Sequence, residues 1–144
     1  MKIVVATDGS SVAKRGLLEA LDFGTHLREA PEIHVVAVVD HIMPPAGLGK
    51  APAGAPDLLA SEAETALAAA EEIAAGKGVA VTTHLLKGHV GPQILGFADS
   101  IQADLIVVGT HGRRGLARAV LGSACEEIVR ESRVPVLTVH AAAP

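Results

Sequence analysis

The sequence predicts an α/β protein built on a parallel sheet with helices on both faces. Two observations lead there. Short apolar runs such as Ile3–Ala6 and Asp104–Val108 show no polar alternation, as strands covered on both faces require. Between them lie segments whose apolar residues recur at steps of three and four, so strands and helices alternate along the chain. With 144 residues, 49% of them hydrophobic, the whole of 1–144 reads as a single domain able to bury its own core.

Ile3–Ala6 is the first strand, continuous in apolar residues and suited to the sheet centre. Thr7-Asp8-Gly9-Ser10-Ser11 is a turn, with Ser10 and Ser11 able to cap the helix that follows. Ala13, Leu17, Ala20, Leu21, Gly24 and Leu27 make that helix's apolar face, and Pro31 stops it. Ile33–Val39 is the second strand. Residues 40–56 hold four prolines and three glycines and read as a mobile loop. Asp57 is positioned to cap a helix carrying Leu59, Ala63, Ala66, Leu67, Ala70 and Ile73, which Gly76 or Gly78 ends. Val79–Leu86 is the third strand, and Pro92 is suited to the first position of a helix running to about Ile101. Asp104–Val108 is the fourth strand, Leu116–Leu121 a short helical turn, Ala124–Glu131 a helix and Pro135–Val139 the fifth strand.

Composition excludes several classes of function. Net charge is −4, and only Arg113, Arg114 and Arg118 cluster, which argues against nucleic acid as a partner. No apolar run approaches membrane-spanning length. Met1-Lys2 leads straight into a strand without a signal-peptide pattern, and the single Cys125 fits a reducing compartment, so a cytoplasmic location is expected. The seven histidines have no metal-ligand spacing, so no protein metal site is expected. Glu62, Glu64, Glu71 and Glu72 read as a solvated helix face. Phe23 and Phe97 are the only aromatic residues besides histidine, so a nucleobase would rest on aliphatic side chains and backbone.

The most informative stretch is Gly109-Thr110-His111-Gly112, followed after nine residues by Gly122-Ser123. It joins a strand to a helix. There, glycines let backbone N–H groups approach phosphate oxygens, and the helix dipole favours an anion. In a sheet of this kind ligands bind beyond the carboxyl ends of the strands where strand order reverses. If strands one and four are neighbours, Asp8 and Gly109 face one crevice. His111 reads either as a phosphate contact or as a solvated turn residue. Cys125, in the first turn of a helix, reads as a small packing residue, with a redox-sensing thiolate as the alternative.

The start Val-Val-Ala-Thr-Asp-Gly-Ser, Val38-Val39-Asp40, Gly88, Val107 through Gly115, Gly122-Ser123 and Val134-Pro135-Val136-Leu137 together resemble the universal stress protein family, in its ATP-binding branch. The resemblance covers nearly the whole chain. It implies strand order 3-2-1-4-5, a homodimer formed through the last strand, and ATP bound between strands one and four, with Mg²⁺ accompanying it. It further implies that Asp8 meets the ribose or adenine and that Val38 offers backbone groups to the adenine edge. Gly109, His111 and Gly112 would wrap the phosphates, and Gly122, Ser123, Ala124 and Cys125 would close on them from the helix start. Cys125 stands where the family often has a small or hydroxyl side chain, which leaves its backbone amide as the contact.

The function so implied is a nucleotide-dependent sensor or regulator in a stress response, acting on a protein partner. A slow ATP hydrolase is the enzymatic alternative; no lysine lies in the glycine loop and no general base is placed by motif. An interaction module that keeps the fold without nucleotide is the third reading.

Overall fold

The computed structural model describes residues 1–40, 53–111 and 121–142. The elements run β1 (Lys2–Ala6), α1 (Ser11–Thr25), β2 (Glu32–Val39), α2 (Ala55–Gly76), β3 (Thr82–Lys87), α3 (Val90–Ile101), β4 (Leu105–Gly109), α4 (Ser123–Glu131) and β5 (Val136–Val139). The five strands form one parallel sheet in the order β3-β2-β1-β4-β5, as the sequence led us to expect.

Strand alternation splits the core in two. Ile3, Val5, Val35 and Val107 face α1 and α2, where Leu17, Leu21, Leu67 and Ala70 cover them. Val4, Val36, Ile106 and Val108 face α3 and α4 and meet Ile94, Ala98, Cys125 and Ile128. Adjacent residues of one strand thus serve opposite faces, which explains the unbroken apolar runs. Burying one such aliphatic side chain contributes about 1.5–3 kcal/mol.

The helix starts show where local signals governed and where they did not. Ser10 caps α1, its Oγ accepting from Ala13 N at 3.2 Å. Ser10→Ala is therefore expected to lower stability by about 1 kcal/mol, read as a shift in urea midpoint. α1 ends at Thr25, six residues before Pro31; Pro31 instead folds back so that a Cβ at Gly24 would lie 3.0 Å from its Cγ. α2 begins earlier than expected, capped by Gly54 at φ +88°, a conformation glycine adopts without strain. Asp57 falls in its first turn, where a carboxylate still favours the dipole. α3 begins at Val90, placing Pro92 third; its missing N–H is harmless because the first-turn amides lack helical partners anyway. β3 begins at Thr82 because Val79 and Val81 pack on the core ahead of the first register pair, His34 with Thr82. Most of the proline-rich stretch after Asp40 and of the turn expected over Leu116–Leu121 lies outside the described residues, as do His41 and Gly112.

Candidate functional site

β1 and β4 lie side by side at the centre of the sheet. The chain leaves β1 for α1 on one face, and α4, which follows β4, packs on the other. This is the topological switch point, where the diverging connections leave a crevice beyond the strand ends. A cavity of about 440 Å³ opens there, within the range of small-molecule sites.

Of the nine candidate residues from the sequence, eight line this cavity: Asp8, Val38, Gly109, His111, Gly122, Ser123, Ala124 and Cys125. Gly112 lies outside the described residues. Asp8 also shapes its own turn, its Oδ1 accepting from Ser10 N at 2.9 Å, so the turn role and the cavity position coexist. Thr7 N donates to Val36 O on the β1 side of β2, and Gly88 N donates to Val39 O on the β3 side. By strand alternation Val38 points its N–H and C=O toward β1, which ends at Ala6. Those groups therefore face the crevice rather than a neighbouring strand.

The two glycine segments are stitched together through Thr110. Its N donates to Val139 O at 2.9 Å, and its O accepts from Gly122 N at 2.7 Å. The Gly122 amide is thus taken, so Gly122 borders the cavity without a free N–H to offer. The amides at the start of α4 are different. The first helical bond runs from Glu126 N to Gly122 O, and no side chain caps the helix. The N–H groups of Ser123, Ala124 and Cys125 precede that bond and have no helical acceptor, so they can serve an anion.

His111 is half-buried. Its Nδ1 lies 3.0 Å from the hydroxyl of the fully buried Thr110, and among the described residues its buried Nε2 has no hydrogen-bond partner. Cys125 is 2% exposed, and burial pushes its thiol pKa up, which disfavours a thiolate and leaves it a packing residue.

Glycine at 109 is a matter of room: an added Cβ would sit 2.8 Å from Val12 Cγ1 in the first turn of α1. Gly109→Ala is expected to cost about 1–3 kcal/mol through overpacking, measured by thermal unfolding.

Sequence reasoning missed two groups of wall residues. α2 contributes Leu59, Glu62 and Ala63, and α3 contributes Val90 and Ile94. Glu62, expected on a solvated face, lines the cavity, and Glu71 accepts from Thr83 Oγ1 at 2.7 Å. Nothing local in the sequence separates Glu62 from Glu64; helix rotation against the sheet does. Among the described residues, no three His, Cys, Asp or Glu side chains gather to hold a metal, and no helix is long and apolar enough to cross a membrane.

The fold and the cavity can be set beside known proteins. Over 96% of its length the chain is 36% identical to a universal stress protein of Methanocaldococcus jannaschii, covering 81% of that protein. It superposes with a TM-score of 0.75 on a universal stress protein family member from Burkholderia pseudomallei, at 30% identity, with 97% and 96% of the two chains covered. A universal stress protein of Archaeoglobus fulgidus, solved in complex with dAMP, superposes at 0.70 with 27% identity over 96% and 97% of the chains. The family model for universal stress proteins matches residues 1–140. Sheet order, glycine segments and these matches agree: the chain belongs to the universal stress protein family.

Proposed function

We propose that this protein binds ATP with Mg²⁺ in the cavity between β1 and β4 and acts as a nucleotide-dependent regulator in a stress response. The observation that carries this reading is a pairing, at the two ends of one cavity, of groups that have no hydrogen-bond partner among the described residues. At one end stand the α4 amides of Ser123, Ala124 and Cys125 with the orphaned His111 Nε2, all suited to phosphate oxygens. At the other, Val38 offers an N–H and a C=O, the complement of an adenine edge. Asp8, between them in the cavity wall, suits the ribose hydroxyls as an acceptor. Gly109 in the cavity wall allows close approach of the phosphates. Aliphatic walls from Val38, Leu59 and Ile94 replace aromatic stacking. The dAMP complex of the Archaeoglobus relative supports an adenine nucleotide as the ligand class.

We further propose a homodimer through β5, in the cytoplasm, with a protein partner that distinguishes the nucleotide-bound state. Among the described residues β5 pairs only with β4, and it exposes Leu137 at 39%. Its open edge is suited to a second copy. Nucleotide can shift function only if the partner binds the loaded and empty forms with different affinity.

The test exploits the absence of Trp and Tyr, which makes the protein nearly transparent where adenine absorbs. Protein purified without added nucleotide is denatured, and the released material is identified by chromatography and mass spectrometry. Near-stoichiometric ATP is the expected result. An empty protein that also fails to take up ATP with Mg²⁺ overturns the nucleotide reading.

A further inference from the structure

His34 and His84 stand fifty residues apart in sequence, yet the sheet brings their rings together at its edge. β2 and β3 pair so that His34 lies beside Thr82 and Val36 beside His84, which puts the two imidazoles on one face and diagonally adjacent. His34 Nδ1 and His84 Nε2 are 3.0 Å apart. Both rings pack on Phe97 of α3, with centroids 6.0 and 4.5 Å away. The His34 side chain is only 15% exposed, and among the described residues its buried Nε2 makes no hydrogen bond.

We propose that this pair is an acid-sensitive latch on β3: with at most one shared proton it ties the edge strand to β2 and α3, and a second proton releases it. The physical reason lies in the contact. A bond between two imidazole nitrogens needs an N–H on one and a lone pair on the other. Two imidazolium rings would turn N–H against N–H at that spacing, beside an apolar ring that solvates neither charge. The protons belong to the pair, which takes up its first more readily than its second.

Burial first, and the neighbouring His34 second, hold the His84 pKa below its ordinary 6.5. As pH falls through about 6.5 the unfolded chain takes up a proton at His84 that the folded chain still refuses. The stabilisation is therefore complete above that value and is lost as pH falls through the lower folded value.

Among the described residues few other charges face the pair. Glu32 on β2 places a carboxylate 3.7 Å from His34 Nε2 and cannot serve both rings. Lys2 of β1, in register with Glu32, is engaged through Nζ with Ile101 O at the end of α3. From α3 the packed group is Phe97, with Asp99 exposed beyond it. Glu71 serves Thr83 instead. Among the described residues β3 pairs with β2 alone, so it is the strand that can leave without opening the sheet centre. Its far end is tied to the cavity region by Gly88 N donating to Val39 O at 3.0 Å, and Val90 just beyond lines the cavity. The latch exists whether or not a nucleotide binds.

The test uses the full chain without nucleotide. Imidazole ¹H–¹⁵N spectra followed from about pH 8 to about pH 4.5 are expected to show His84 half-titrated below 6.5. Over the same range, amide exchange corrected for intrinsic rates is expected to rise in residues 82–87 about tenfold more than in residues 3–5, as local opening of an edge strand over a closed sheet centre requires. In His84→Leu, which keeps the packing on Phe97, that extra rise should vanish. His84 titrating at or above 6.5, β3 protection independent of pH, or an unchanged pH response in His84→Leu would each overturn the latch. If that variant does not fold, the wild-type titration and exchange decide alone.

Discussion

Gly122→Val is expected to weaken nucleotide binding by at least about tenfold, or about 1.4 kcal/mol, while the protein stays folded. Gly122 sits at φ −60° and ψ 148°, a backbone any residue adopts, so no conformational strain accompanies the change. A Cβ there lies 3.2 Å from Thr110 O, a tight contact, and Gly122 lines the cavity beside the first residues of α4, so a branched side chain adds bulk to that wall. Bulk thus arrives where phosphate oxygens would stand. Titration calorimetry with ATP and Mg²⁺, alongside a thermal unfolding curve, separates lost binding from lost folding. Unchanged affinity in a folded variant would place the ligand elsewhere.

Ile94→Ala is expected to cost about 2–5 kcal/mol, the largest stability effect here. Ile94 is fully buried in α3, packed in the core cluster that contains Val4, Val36 and Ile106, and it also reaches the cavity wall. The surrounding strands are held by the sheet ladder and cannot collapse to fill the hole. Urea denaturation reads the loss as a lowered midpoint with the slope unchanged. The same variant tests whether the aliphatic wall holds the base: affinity should fall less than in Gly122→Val, because only contact area is lost and no atom blocks the ligand.

Much of the fold was legible because its signals are local. Ser10 carries a hydroxyl three residues before the amide it caps, and the unbroken runs of β1, β2 and β4 announce strands covered on both faces. The element boundaries that moved did so for tertiary reasons. α2 is capped by a left-handed Gly54 rather than by Asp57, and Val79 and Val81 pack on the core without joining the ladder. The candidate residues Asp8, Gly109 and Gly122 were legible because turns between strands and helices need particular residue types at fixed spacings. Glu62 was not, since its position in the cavity depends on how α2 lies on the sheet.

By itself the sequence determined the α/β alternation, the strand-end position of Asp8 and Gly109, and the resemblance that implied both the strand order and the family. Only the tertiary structure decided that Thr110 consumes the Gly122 amide, that Cys125 is a buried thiol, and that His34 meets His84. The division has a single physical cause. Periodicity, capping and turn chemistry act over a few residues and are written in their order, whereas burial and hydrogen-bond pairing depend on which distant atoms the packed sheet places side by side.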